Sequence, residues 1–302
     1  MSLRAWYQIP DLTLEQAVRT AARYLDGFDL VYGHGTDNAT DEASWLILEA
    51  MGLSPLEPPD YNMVLTEEEK EHAISFLRRR AEQRVPAAYI TGRTWFAGLE
   101  FLVDERALVP RSPLAEPIMQ GFSDFIDPGE TRLILDLCTG GGCIAIACAY
   151  AFADAHVDAL DISEDALALA KENLQKHAMQ RRVRLIQSDL FEAIKPENRY
   201  DLIISNPPYV DRDEMDALGE EFRKEPGLGL AAGTDGLDLV RRILAEAADH
   251  LTAEGILVCE VGNSAAALEA AYPELPFMWL EFEHGGDGVF VLTHDELVAA
   301  KL

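Results

Sequence analysis

The 302 residues are 48% apolar, ample for a core and long for a single one, so a large domain with a smaller companion is expected. Against 53 acidic residues stand only 25 basic ones, a formal net charge of -28. That balance opposes a nucleic-acid backbone as the main partner and attracts a basic protein.

The opening MSLRAWYQIPDL lacks the apolar run of a signal peptide, and no stretch of about 18 apolar residues follows, so a cytoplasmic protein without membrane contact is expected. Leu14, Val18, Ala21, Ala22 and Leu25 recur at helical spacing and predict a first amphipathic helix. Asp41 to Met51 predicts a second, ended by the stretch Gly52 to Pro59. Thr66-Glu67-Glu68-Glu69 is a capping box opening a third, which Val85-Pro86 stops after about Gln83. Arg78 to Arg84 and Arg181, Arg182 and Arg184 are the basic clusters, read as solvated faces. Residues 1–86 thus read as a small helical recognition domain.

Residues 87–112 read as a bridge, with a hairpin over Thr94 to Val103 that breaks at Ala97-Gly98. Ser112-Pro113 has the chemistry of a helix start. Across 113–302 strands alternate with helices: RLILDL, a helix from Gly142, HVDALD, a helix from Ser163, VRLIQSD, then YDLIIS. A helix from Gly236, GILVCEV, a helix from Ser264 and two strands near Met278 to Phe282 and Val289 to Thr293 follow. The pattern predicts an α/β, doubly wound, mostly parallel sheet, with ligands at the carboxyl ends of its strands.

LILDL runs into CTGGGCIAIA, placing Gly140, Gly141 and Gly142 at a strand-to-helix turn where a ligand can lie against backbone and meet free N–H groups. Asp161 ends the next strand, where a carboxylate can accept from both hydroxyls of a ribose. Gly140-x-Gly142-x-x-Ala145 also fits the dinucleotide fingerprint, so these features alone do not separate NAD from S-adenosylmethionine. Asp136, an acid ahead of the glycines, resembles the pattern of the methyltransferases, and QSDLF, closing the third strand, would place Asp189 near an adenine amine.

The fourth strand ends in Asn206-Pro207-Pro208-Tyr209. Each proline fixes φ and offers a carbonyl without a donor. With the Asn206 side-chain oxygen those carbonyls form a set of acceptors, suited to a planar NH2 group, and Tyr209 can cover its plane. An amide or aromatic amine is the nucleophile implied.

On these residues the chain resembles the S-adenosylmethionine-dependent amino-methyltransferases, and is most similar to the protein (glutamine-N5) methyltransferases, over almost its whole length. Tyr32 to Ala43 (YGHGTDNATDEA) and Leu108 to Glu116 (LVPRSPLAE) resemble the branch that modifies ribosomal large-subunit protein three, while the release-factor branch carries Arg-Pro-x-Thr-Glu at the latter place. EPGLGLAAGTDGL, Glu225 to Leu237, looks like the family's substrate loop. The resemblance implies a Rossmann-like, class I seven-stranded fold and S-adenosyl-L-methionine as cofactor. Thr139 to Gly142 would hold its methionine end, Asp161 its ribose, and Asp189 with Leu190 its adenine. Asn206 would contact both cofactor and glutamine amide, Pro207 would accept from the amide, and Pro208 and Tyr209 would complete the corner. The protein substrate implied is ribosomal large-subunit protein three. The family's general pattern has glycine where Cys138 stands.

Rival readings are a release-factor glutamine methyltransferase; a DNA adenine or RNA guanine amino-methyltransferase, which needs a basic face the composition opposes; a NAD-dependent oxidoreductase, which leaves Asn206 to Tyr209 unexplained; and a non-catalytic ribosome-assembly module. Cys138, Cys143, Cys148 and Cys259 match no zinc spacing, and no metal is expected. No histidine, including His34 and His284, falls in a nucleophile or metal pattern; His34, within YGHGT, is placed to touch a protein substrate.

Overall fold

The computed structural model describes residues 3–283 and 285–300; His284 lies outside the described residues. Two compact units divide the chain: Met1–Thr94 with Gly219–Lys224, and Trp95–Leu218 with Glu225–Leu302.

The first unit is helical. After a 3-10 turn over Leu3–Gln8 come α1 (Leu14–Leu25), α2 (Ala39–Ala50), α3 (Glu67–Gln83) and the short α4 (Ala87–Thr91). Thr13 and Thr66 each close a capping box, with Gln16 and Glu69 reaching back, while Asn38 accepts from Thr40 and Asp41 and so starts α2 earlier than expected. Arg84 ends α3 with φ 57°. The arginine run is not wholly a solvated face. Ala73, Leu77, Arg80 and Ala81 share the inward stripe of α3, and Arg80 is buried with them. Its Nε donates to Glu42 at 2.5 Å, Nη1 to Glu221 at 3.1 Å and Nη2 to the Val31 carbonyl at 2.9 Å, and its guanidinium lies over the Tyr32 ring. His34 is not at a surface either: it is 1% exposed, its ring 4.5 Å from that of Phe222.

β1 (Arg93–Phe96) and β2 (Leu99–Leu102) form the expected hairpin, and the division between the units falls within β1. Ala97 (φ 49°) and Gly98 (φ 74°) both take the left-handed conformation that a two-residue hairpin turn requires. Ser112-Pro113 does not start a helix: α5 spans Ala115–Met119, and the Ser112 hydroxyl accepts from the Leu114 N–H while its own proton goes elsewhere, as described below.

The second unit continues β3 (Leu133–Leu137), α6 (Cys143–Ala151), β4 (His156–Asp161), α7 (Glu164–Lys176), β5 (Val183–Gln187) and β6 (Tyr200–Ser205). Then come α8 (Arg212–Ala217), α9 (Asp238–His250), β7 (Leu251–Glu260), α10 (Ala265–Ala271), β8 (Met278–Trp279), β9 (Val289–Thr293) and α11 (His294–Ala300). The seven-stranded sheet has the order β5-β4-β3-β6-β7-β9-β8, parallel from β5 to β7 with β9 antiparallel to both neighbours. The apolar strands alternate their side chains between two cores. Ile134, Leu202, Ile204 and Val258 meet α6 on one face; Leu135, Leu137, Ile203 and Leu257 meet α9 and α11 on the other. The chain steps outward from β3 to β5 and then returns to β6 on the far side of β3. This is the switch point, and Leu137 pairs there with Ser205.

Candidate active site

The residues singled out from the sequence lie at the carboxyl ends of β3 to β6. Between β3 and α6 the chain turns tightly, with Gly140 at φ 54° and Gly142 at φ 82°. A Cβ on Gly142 would stand 3.2 Å from that of Ala170, so the turn sits directly against α7. Asp161 braces it: Oδ2 accepts from the Gly140 N–H at 2.8 Å and Oδ1 from the Ser163 N–H at 2.9 Å. Burial raises the pKa of Asp161 against these N–H bonds, which lower it. The departure at Cys138 is also explained. Cys138 has φ 60°, so the position does require the left-handed backbone that glycine adopts freely, and cysteine occupies it under strain.

Asp136 lies fully buried beneath the turn. Its Oδ2 accepts from the Thr139 hydroxyl at 2.5 Å and from the Ala145 N–H at 3.0 Å, while Oδ1 has no hydrogen-bond partner. Burial pushes its pKa up to about 7, against the Thr139 and Ala145 bonds. An orphaned, buried carboxylate oxygen below a glycine turn suits a cationic group with N–H donors, such as the amino-acid end of S-adenosylmethionine. The residues present therefore fit that cofactor.

After β5, Leu190 has φ 48°, and its carbonyl accepts from the Ser188 hydroxyl at 2.7 Å. Asp189 is not held by backbone alone: Arg242 of α9 donates to its Oδ1 at 2.8 Å.

At the end of β6 the Ser205 hydroxyl donates to the Leu137 carbonyl at 2.9 Å, tying the two strands together just before the motif. Asn206 is half-buried, and Pro207 and Pro208 are buried. Tyr209 donates its hydroxyl to Glu260 Oε1 at 2.9 Å, and the Ser112 hydroxyl donates to Glu260 Oε2 at 2.5 Å. A Cβ on Gly262 would lie 2.6 Å from the Tyr209 ring, so only glycine lets the backbone close on that face. Immediately beyond, the Val210 N–H donates to the Leu230 carbonyl and the Ala232 N–H to the Val210 carbonyl, each at 2.9 Å. Glu225 anchors the start of the same loop, accepting from Arg111 Nη1 at 2.7 Å, Arg111 Nη2 at 2.9 Å and the Val109 N–H at 2.9 Å.

Sequence reasoning missed Glu260, Arg242 and the partners of Ser112. For Glu260 a signal existed, because an acid ending the apolar run GILVCE falls at the same carboxyl edge as Asp161. Arg242 gave none, lying mid-helix far along the chain. Among the described residues no group of His, Cys, Asp or Glu could hold a metal ion, no helix is long and apolar enough to cross a membrane, and all four cysteines are free.

A methyltransferase small domain family model matches residues 122–233, and a model described as the PrmC N-terminal domain matches residues 16–92. The ribosomal protein uL3 glutamine methyltransferase of Francisella tularensis is 46% identical over 293 residues, 96% of this chain and 92% of that protein. The protein of the same description from Neisseria meningitidis is also 46% identical, covering 96% of this chain and 95% of that one. Among solved structures, the hMettl16 catalytic domain in complex with a MAT2A 3'UTR hairpin superposes with TM-score 0.52 at 16% identity, over 76% of this chain and 82% of that chain, a likeness of fold. With the Asn-Pro-Pro-Tyr stretch after β6, the glycine turn braced by Asp161 and these relatives in view, the chain belongs to the ribosomal protein uL3 glutamine methyltransferase family.

Proposed function

We propose that this enzyme methylates a glutamine side-chain nitrogen in ribosomal protein uL3, with S-adenosylmethionine as methyl donor. The observation that carries this reading is the corner at Asn206 to Tyr209, where two prolines that cannot donate follow a half-buried asparagine at the sheet's switch point, beside the glycine turn.

In this reading Asn206 Oδ1 and the Pro207 carbonyl accept the two amide hydrogens, and Tyr209, with Pro208, covers the amide plane. Holding both hydrogens restrains the nitrogen and turns its lone pair outward; positioning of this kind can supply about 7 to 11 kcal/mol in favourable systems. S-adenosylmethionine, when bound, supplies a methyl carbon activated by its sulfonium, so that the carbon–nitrogen bond forms as the carbon–sulfur bond breaks. The methylated amide returns to neutrality by releasing one proton to solvent, and no general base is needed before attack. Thr139 to Gly142 with Asp136 receive the amino-acid end of the cofactor, Asp161 its ribose, and Asp189 with Leu190 its adenine. The net charge of -28 draws a basic substrate toward the enzyme.

The test is incubation of the purified enzyme with S-adenosylmethionine and free ribosomal protein uL3, followed by peptide mass spectrometry. One added methyl on a glutamine is expected, and its loss in Asn206→Ala while cooperative unfolding is retained. Methylation on another residue type, or undiminished transfer by Asn206→Ala, overturns the reading.

A further inference from the structure

Glu260 closes β7 at the same edge of the sheet as the acceptor corner, and it is 4% exposed. Burial raises its pKa, countered by the hydrogen bonds from Ser112 and Tyr209 and by the charge of Arg111. Each carboxylate oxygen receives one hydroxyl proton, Oε1 from Tyr209 and Oε2 from Ser112. A buried group accepting two hydroxyls fixes the orientation of both.

Tyr209 is clamped on other sides as well. Gly262 lies against its ring, its main-chain carbonyl accepts from the Ser264 hydroxyl at 3.1 Å, and a Cβ on Gly236 would be 2.3 Å from that carbonyl. The ring is thus held by van der Waals contact and its hydroxyl by charge. Because the hydroxyl proton points at Glu260, the Tyr209 oxygen shows only lone pairs to any other neighbour. Burial, then Glu260, raises the pKa of Tyr209, so that proton stays on the phenol.

We infer that Glu260, seconded by Ser112, is the positioning residue that sets the angle of the Tyr209 ring and keeps its hydroxyl proton away from the glutamine amide. The inference rests on the functional reading above. Its chemistry is one of exclusion. A phenol free to rotate could donate to the amide carbonyl or compete for the acceptors of the corner. With its proton held by a carboxylate it does neither, and the corner stays an acceptor set. Arg111 and Ser112 are consecutive, so one short segment grips both the loop at Glu225 and the carboxylate behind Tyr209.

Glu260→Gln keeps the shape but turns one of the two oxygens into an NH2 donor, which must push one hydroxyl proton elsewhere. It is expected to lower kcat by about 10- to 100-fold, the scale of misplacing a reacting group. The dissociation constant for S-adenosylhomocysteine should stay unchanged. Ser112→Ala, which leaves Oε2 unpartnered, should lower kcat less, and Glu260→Gln placed in Tyr209→Phe should cost nothing further, since no hydroxyl remains to orient. Full kcat in Glu260→Gln, or an equal loss in the Tyr209 and Tyr209→Phe backgrounds, overturns the inference. Should Glu260→Gln fail to unfold cooperatively, the comparison of Ser112→Ala in the two backgrounds decides by the same criterion. If Asn206→Ala retains transfer, the functional reading itself fails; if only the Glu260 result is negative, the positioning role alone is lost.

Discussion

The Gly140 N–H and the Asp161 carboxylate meet at 2.8 Å, so the acid expected to hold a ribose also holds the turn on which the cofactor's other end would lie. Asp161→Ala removes both supports. Cofactor affinity should fall by about 1.5 to 3 kcal/mol, the scale of hydrogen bonds to a charged group. Asp161→Asn, whose one remaining oxygen can still accept from Gly140, should lose less. Titration calorimetry with S-adenosylhomocysteine measures both, and an unchanged dissociation constant in Asp161→Ala removes the residue from this role.

Asp136 gives the site a pH dependence whose sign follows from burial. Its folded-state pKa of about 7 lies above the ordinary carboxyl value, so the folded protein holds a proton that the unfolded chain releases near pH 4. Stability from this group is complete below about pH 4 and lost as pH rises toward 7. Asp136→Asn cannot ionise, so its stability relative to the parent should improve as pH rises across that window; chemical denaturation at pH 5 and pH 8 reads the difference. A cationic ligand beside Oδ1 acts the other way and favours the ionised form. S-adenosylmethionine binding should therefore tighten as pH rises through about 7 and expel protons, seen as a dependence of binding heat on buffer. A pH-independent affinity would place the cationic end elsewhere.

Cys138 tests the strain at the turn. A non-glycine residue at φ 60° carries about 1 to 2 kcal/mol of steric cost. Cys138→Gly removes it but adds unfolded-chain entropy of about 0.5 to 1 kcal/mol and loses the half-buried thiol, so stability should change by no more than about 1 kcal/mol, with methyl transfer retained. Cys138→Val, β-branched and intolerant of this backbone, should unfold at lower denaturant and bind the cofactor weakly. Equal tolerance of both substitutions would mean that the turn relaxes freely.

Cys138 also shows where the sequence was legible. The alternating pattern from Leu133 to Thr293 announced the sheet, because buried parallel strands must be apolar runs and the turns between them must carry glycine, acid or proline. That Asn206 to Tyr209 follow the end of a strand was legible for the same local reason. What escaped were long-range partners: Arg242 on Asp189, Ser112 on Glu260 and Glu221 on Arg80, each joining residues far apart in the chain. Ser112-Pro113 shows the cost. Its local chemistry reads as a helix cap, yet the hydroxyl proton is drawn by a carboxylate 148 positions away, and the helix begins only at Ala115. α11 was missed because it follows β9 without an intervening turn.

Within the helical unit, Arg80 sets the last expectation. It is 1% exposed and paired with Glu42 and Glu221, which are equally enclosed, so removing the guanidinium leaves buried Glu42 without its cation and Glu221 with Arg84 alone, at 3.2 Å. Breaking one partner of such a group typically costs about 3 to 5 kcal/mol, whereas replacing the whole group with apolar residues of similar volume is often neutral or stabilising. Arg80→Ala should therefore lower the denaturant midpoint strongly. Glu42→Leu, Arg80→Met and Glu221→Leu combined should recover most of the loss. Because Glu221 is the one member contributed by the inserted segment Gly219–Lys224, Glu221→Gln alone should also free that segment. Hydrogen exchange at the Val31 amide, which donates to Glu221 at 3.1 Å, reports this directly. Unchanged protection at Val31 in Glu221→Gln would show that the segment is held by its other contacts, the packing of Phe222 on His34 foremost among them.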